Sequence, residues 1–597
     1  MQPECSAAGD ADGPGLFRPV VLRGGEPLAT DRWSMQRVDR WIPRYRAESF
    51  PDLAVRMTVC APGGYDPIAR GGVIAFEVEN RASIEQTLQV GVEGEWRWSR
   101  KLVQTGRPLA TPNRLSSGAA HAGLALEVGD TAGGAALGLH VEGREARYEL
   151  AAEDGFSPME PGDERVAVNG APLRFRVLGT VHVRAGARAR LAIHVGLAAE
   201  RDGALATAAQ LAGIGAASLV RSARLELARL ARRSDDVALS ELLNRNLVFS
   251  YYCGVGRALD DDYLYPVTSR SPLHGATGVF NEREGLLWTL PALTECDPLL
   301  ARELLLRSFE QYSDRPGHHL RYVDGGILDP SVSLQHLCAY GIALDRYVAA
   351  TEDATVLDEP VVQDTLRDLD DIIFARLHPD IFLGRSDVLA SGARADQPYV
   401  TYDNVLLWLF VRALERIWSF KEPPRLSNAA DEIASAIWSR CTVDIDGAHV
   451  LACSTDLERD ATVYDDPAGS LRLLPHFEFC PVDDPVWTET MSLLRSSRYP
   501  LWLGDRPFPG HAERHAPGHV ALAGICADLL ADRSADAQAL LQRLDLTGGV
   551  ACDAFDPDTG RATRGHHAAA AAGFLAWALT RALRIRRPMR SAVRRAS

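Results

Sequence analysis

Residues 190–233 read RLAIHVGLAAERDGALATAAQLAGIGAASLVRSARLELARLARR, and two periodicities meet inside them. Arg190-Leu191-Ala192-Ile193-His194-Val195 alternates every second residue, as a half-buried strand does. From Ala204 to Arg233, Leu205, Leu211, Leu219, Leu225, Leu227 and Leu230 recur among Ala and Arg at helical spacing, with no proline to break the run. The chain therefore changes class here, from strands to helices. Gly213-Ile214-Gly215 lies inside the helical part, but no strand leads into it and the third glycine of a dinucleotide loop is missing.

Towards the N-terminus the alternation repeats in Gly72–Asn80, Thr87–Val92, Leu124–Val128, Leu137–Val141 and Leu173–Val177, punctuated by Gly, Pro and Asn. This predicts an antiparallel β-sandwich over 1–200, with 201–237 as a helical linker. Towards the C-terminus helix follows helix, near 238–253, 283–294, 298–312, 331–351, 358–376, 402–419, 426–440, 467–474, 484–496, 517–531, 534–545 and 565–584, with no credible β-run between them. Twelve helices make six hairpins, so the expected fold is multidomain: the N-terminal sandwich plus an (α/α)6 toroid over 238–585, whose bowl is a concave site. From Arg581 onward the chain carries seven arginines, and its last part, the tail 586–597, reads as a solvated end.

Composition agrees with this plan. At 597 residues the chain exceeds one ordinary core, and 46% hydrophobic with 24% charged residues is globular composition. A net charge of −15 speaks against a general nucleic-acid binder, which needs a basic stripe. Ten cysteines stand singly, with no CxxC pair, and read as reduced packing residues. The first residues lack a basic n-region and an apolar h-region, and no stretch approaches ~18 apolar residues, so the expectation is a cytoplasmic protein with no membrane span. Oligomeric state is left open.

Three long connections are the places for chemistry, since reactive groups sit on loops held by a rigid scaffold. Gly254–Gly285 carries Asp260-Asp261-Asp262, Arg270, His274 and Asn281-Glu282-Arg283-Glu284, then Leu286-Leu287-Trp288. Two carboxylates flanking an arginine can hold sugar hydroxyls or a leaving group, and they can equally complement a helix dipole. His378–Val400 runs into Tyr402-Asp403 and on to Trp408; Asp403 reads either as an acid or base, or as a cap. Between Gly548 and Gly565, Asp556-Pro557-Asp558-Thr559-Gly560 has turn chemistry, which leaves Asp553 as the chemical group.

Asp466–Thr490, DPAGSLRLLPHFEFCPVDDPVWTET, resembles the stretch of the glucoamylase-type, six-hairpin inverting glycosidases in which a small-residue, Leu-rich helix leads to a Pro, Asp-Asp-Pro, Thr hairpin. Asp553–Gly560 is similar to the segment where that family carries its general base, and Phe280–Trp288 to its first active-site loop, with Arg283-Glu284 in place of an Arg-Asp pair. The resemblance implies metal-independent inverting hydrolysis, without a cofactor, of an α-linked sugar or glycosylated small molecule, on a small-molecule or oligosaccharide substrate. Two positions depart from the pattern: the family's base is a glutamate where this chain has Asp553, and its acid glutamate has no counterpart around Ile381-Phe382-Leu383-Gly384-Arg385.

Inverting hydrolysis needs two carboxyls about 6.5–9.5 Å apart, one protonated and one ionised. Glu282, Glu284, Asp403 and Asp553 are the catalytic candidates, with Glu282 or Glu284 as acid and Asp553 as base. Arg283, Trp288, Tyr402, Trp408, Arg270 and His274 are the substrate-binding candidates, aromatic faces meeting the apolar faces of sugar rings. Two alternatives remain: a non-catalytic carbohydrate-binding pseudoenzyme, and an acid-initiated cyclase or lyase, for which Asp368-Leu369-Asp370-Asp371 spells a motif although its helical stripe reads as an ordinary solvated face. His511, His515 and His519 are spaced by four, yet Pro509-Gly510 and Pro517-Gly518 interrupt any helix that would align them on a metal.

Overall fold

A computed structural model describes residues 2–5 and 16–583, apart from 29–32, 48–49, 66–69, 102–107, 110, 119–120, 131–132, 144, 153–154, 168–170, 258–262, 272, 275–277 and 421. Asp260-Asp261-Asp262 and the tail 586–597 lie outside the described residues. Two compact units divide the chain, the first running to Ala231 and the second starting at Arg232.

The first unit is the expected sandwich. A nine-stranded and a six-stranded antiparallel sheet face each other. Gly71–Asn80 runs against Arg188–Ala198 with Ile74 opposite Ile193, and Gln86–Trp96 runs against Leu173–Val183 with Val92 opposite Val177. Alternation puts Ile74, Phe76 and Val78 of one sheet and Leu88, Val90 and Val92 of the other into one shared core. The helices read as a linker do more than connect. Arg201–Ile214 lies on strands Gly133–Val141 and Arg188–Ala198. Gly138 and Gly196, opposite each other in register, admit its backbone: a Cβ at Gly196 would stand 2.3 Å from the Ala204 carbonyl oxygen.

The second unit is built from helices of two kinds. Leu334–Thr351, Thr401–Ile417 and Ala569–Ala582 are buried on most sides, whereas Pro360–Ala375 buries only the stripe Val362, Leu366, Leu369 and Ile373 with Thr365 and Asp370. That alternation of enclosed and amphipathic helices is what an inner and an outer ring require. Small residues set the spacing; a Cβ on Gly573 would meet Ser250 Oγ at 2.8 Å and the Trp288 carbonyl oxygen at 3.0 Å.

Three expectations are corrected. The helix at 467–474 is two 3-10 turns, Pro467–Gly469 and Leu471–Leu473, because Ser470 between them is extended and Asp465 accepts hydrogen bonds from Leu471 N and Ser470 Oγ. The segment 517–531 begins as strand Ala516–Ala521 and turns helical only at Leu522. Short antiparallel strands do occur between the helices; the largest such sheet joins Ala512–Glu513, Ala516–Ala521, Ala554–Phe555 and Ala562–Arg564.

The second unit also holds a buried ion network. Arg472, 1% exposed, donates to Asp465 Oδ2 at 2.8 Å and stands 3.2 Å from Asp528, which pairs in turn with Arg495 at 3.1 Å. Asp370, from the Asp-x-Asp-Asp motif, accepts the backbone N–H groups of Arg425 and Leu426 at 2.6 and 3.2 Å. Its carboxylate is thereby committed to the fold.

Candidate active site

The loop Asn281–Glu284 follows strand Val279–Phe280 and leads into a π-helical turn, Glu284–Thr289. Such turns break the regular helical register and recur at functional sites. Asn281 Oδ1 accepts the Glu284 N–H at 3.0 Å, fixing the start of the turn. Successive helical residues point about 100° apart, so Glu282, Arg283 and Glu284 have different fates.

Glu282 faces inward and has no exposed surface. Its carboxylate accepts from Arg321 Nε at 2.9 Å, Tyr340 OH at 3.1 Å and Gly317 N at 2.8 Å. Burial pushes the group up to about 7 against these donors. Glu282 thus ties strand His318–Tyr322 to helix Leu334–Thr351 and presents no free oxygen to a substrate.

Arg283 is equally enclosed, with 1% of its side chain exposed. It lies over the Trp288 ring at 4.1 Å, donates to the carbonyl oxygens of Ala390 and Ala468, and reaches Glu284 Oε1 at 3.2 Å. One guanidinium therefore fastens three loops and orients Glu284. Trp288 is spent on stacking with Phe574 at 4.8 Å, Tyr402 is buried against Phe477, and Trp408 packs edge-on to Phe479. Arg270 donates to the Tyr252 carbonyl oxygen. Asp403 is fully buried in the first turn of helix Thr401–Ile417, three residues after its cap Val400, and accepts from Ser386 Oγ at 2.6 Å.

Glu284, by contrast, remains partly open and faces Asp553, Arg283 and His274; burial raises its carboxyl, and the charge of Asp553 raises it further. His274 stands beside it, hydrogen-bonded to the His566 backbone and held below its ordinary range by burial. The structure brings Glu284, His274 and Asp553 together, with Arg283 behind them, and leaves Glu282, Asp403, Trp288, Tyr402, Trp408 and Arg270 in packing or positioning roles.

Asp553 hangs from the four-stranded sheet, its N–H bonded to the Arg564 carbonyl oxygen and its carbonyl oxygen to Leu522 N. Its surface is open to water, yet surrounding protein pushes its carboxyl up to about 6, with Arg564 opposing. Asp553 is thus a carboxylate that water reaches and neighbouring protein crowds. Gly565 makes room for it: φ is +57° there, and a Cβ would fall 1.8 Å from Asp553 Oδ2. Gly565→Ala is expected to displace the backbone around Asp553 and to lower stability, since the new Cβ would also fall 2.6 Å from the Asp553 Cβ, which no rotamer change moves, in a left-handed conformation that alanine disfavours. A crystal structure of the variant checks this, and an unmoved Asp553 would refute it.

Glu513, passed over in the sequence, completes the group. Its carboxyl is driven up to about 8 by burial and then by the charges of Asp466 and Asp553, with Arg564 and Arg283 opposing. His515 Nε2 lies 2.9 Å from its Oε2. Burial keeps His515 below its ordinary range, so at neutral pH this contact is a hydrogen bond between neutral groups. Arg564 also donates to the His515 carbonyl oxygen at 3.3 Å, tying the two hairpins. The signal was present: the loop is bracketed by Pro509-Gly510 and Pro517-Gly518, but its histidines drew the eye from the carboxylate among them. They do not converge, since His511 bonds to the Leu494 carbonyl oxygen and His519 to Thr563.

At neutral pH this arrangement offers a protonated Glu513 and a largely ionised Asp553 close enough for the charge of one to act on the other, the two states that acid–base cleavage requires.

As a sequence the chain matches no family model and no curated protein. Its fold is similar to that of three solved structures. A bacterial glucoamylase complexed with acarbose aligns over 95% of this chain and 88% of its own, at 11% identity and TM-score 0.61. A candidate kojibiose phosphorylase from the human microbiome aligns over 94% and 78%, at 10% identity and TM-score 0.55. A metal-independent α-mannosidase from Streptococcus pneumoniae, in a non-productive complex with α-1,6-mannobiose, covers 61% of this chain and 98% of its own, at 16% identity and TM-score 0.53. These likenesses show the fold, a β-sandwich followed by an α/α toroid.

Proposed function

We propose that the toroid is a glycoside hydrolase that cleaves an α-linked sugar, or a sugar joined to a small molecule, with inversion and without a metal. The observation that carries this reading is the pairing of Glu513, raised to about 8, with Asp553, raised to about 6. Glu513 gives its proton to the glycosidic oxygen as the bond to the anomeric carbon breaks. Asp553 takes a proton from a water whose oxygen forms the new bond on the opposite face of the ring. After release of the products, proton exchange with solvent resets both groups. Glu284, set by Arg283 and His274, is the third carboxyl of the pocket and a ligand for ring hydroxyls. The sugars and inhibitor named for the three similar structures support the substrate class. A cytoplasmic setting belongs to this reading, supported by cysteines such as Cys338, Cys441, Cys526 and Cys552, which stand as buried thiols among the described residues.

One observation favours a second reading, binding without turnover: the loop Ile381–Ser391 supplies only Asp387, which is exposed and pairs with Arg376. The experiment that separates the two is a screen of α-linked disaccharides and aryl glycosides, with proton NMR of the first product. Hydrolysis should release the inverted anomer. Saturable binding with no release would replace the first reading by the second.

The pH profile follows from the same groups. Asp553 must be ionised and Glu513 protonated, so kcat/KM should rise through about 6 and fall through about 8. A profile still rising above the upper value would remove Glu513 as the acid.

A further inference from the structure

A cavity of about 10 Å³ has Tyr402, Asp403, Cys453, Tyr464 and Asp466 in its lining. That is about the room one water needs. Asp403 has no exposed surface and Asp466 only 4%. One oxygen of each is used inside the fold: Asp403 Oδ2 accepts from Ser386 Oγ at 2.6 Å, and Asp466 Oδ2 accepts the Ser391 N–H at 2.9 Å. The other oxygen of each, Oδ1, is buried with no hydrogen-bond partner. Buried polar atoms are nearly always paired, and two carboxylates sharing a small dry space cannot both stay ionised cheaply.

We propose that this cavity holds one ordered water bridging Asp403 Oδ1 and Asp466 Oδ1, and that the two carboxyls together carry a single proton. In this arrangement one Oδ1 is protonated and donates to the water, and the water donates to the other Oδ1. Both orphan oxygens are then satisfied and the cavity bears one negative charge, not two. The surrounding groups agree with that charge. Asp403 faces Asp466, Arg283, Cys338, Cys453, Tyr402 and the Gln335 backbone N–H. Asp466 faces Asp465, Arg283, Cys453, Tyr464 and Glu513. Arg283 is the cation that both carboxyls sense, which suits one shared negative charge. Burial raises both groups above the ordinary aspartate range, and each raises the other or a neighbour by its charge. The pair is a feature of the fold and stands whether or not the pocket acts on a sugar.

The test is urea unfolding of the full chain and of Asp403→Asn between about pH 5 and pH 7, where the folded wild type holds the shared proton and the unfolded chain, its aspartates ionised, releases it, so that stability falls with pH until the folded value of about 7 is passed. Asn mimics the protonated form and has nothing to lose. The variant's stability should therefore fall less steeply with pH, by about one proton in the slope. Glu282 titrates alike in both proteins and cancels in the difference. Equal slopes would overturn the proposal. A crystal structure of the wild type at about pH 6 reads the same arrangement without any variant: one water within hydrogen-bond distance of both Oδ1 atoms is expected, and an empty cavity or a direct contact of the two oxygens would overturn it.

Discussion

Glu513→Gln is expected to lower kcat about 10²–10⁴-fold on a glycoside with a poor leaving group, while KM changes little, because the lost proton transfer is made only in the transition state. Gln keeps the shape and the contact with His515, so the fold should survive. On an aryl glycoside whose phenolate leaves unaided, the same variant should lose far less. Asp553→Asn should lose a similar factor on both substrates, since water must be activated whichever group departs. The contrast between leaving groups is the diagnostic measurement. An equal loss on both by Glu513→Gln would show that Glu513 holds the substrate and does not protonate it. Full turnover by Asp553→Asn would end the assignment of the base.

Arg472→Leu is expected to cost about 3–5 kcal/mol, the penalty for leaving a buried charge without its partner. Asp465 is fully buried and Asp528 nearly so, and both lose their shared cation. Burial works to raise the Asp465 carboxyl, but Arg472, with His511 and Ser470, holds it below the ordinary value. In the wild type its stabilising contribution is therefore present above the unfolded aspartate range and is lost as pH falls through the folded value. Without Arg472 burial prevails, the folded value rises above the unfolded one, and that contribution reverses sign: acid becomes favourable for this site. Chemical unfolding at neutral and mildly acidic pH measures both effects, and a loss below ~1 kcal/mol at neutral pH would mean that the network relaxes around the gap.

Much of the architecture was legible because it rests on period. Alternation in Gly72–Asn80 and helical recurrence in Ala204–Arg233 are local and survive any tertiary context. The short strands between toroid helices were not legible, since strands of two or three residues carry no period; they exist because neighbouring loops pair. The same limit governed the candidate site. Glu282 and Glu284 are chemically alike candidates in sequence, and Arg321, 39 residues from Glu282, decides which carboxylate is consumed. Asp403 was read as a catalyst or a cap, yet its oxygen goes to Ser386, a partner 17 residues earlier that no local rule supplies. Asp553 was found because a turn beside it could be recognised, and Asp556 does accept the N–H groups of Asp558 and Thr559. Glu513 has no such marker.

Glu513 and Asp553 share one hydrogen-bonded ladder: Ala512–Glu513 pairs with Ala516–Ala521, which pairs with Ala554–Phe555. A ladder moves only in whole residues, and a slip by one turns every side chain to the other face. The separation of the two carboxyls is therefore set by backbone pairing, with a register irregularity between Ala512 and Glu513, while lengthening of the turn at 556–560 leaves the rungs between 512 and 555 untouched. Exchanging either acid for one a methylene longer or shorter changes that separation without disturbing a rung.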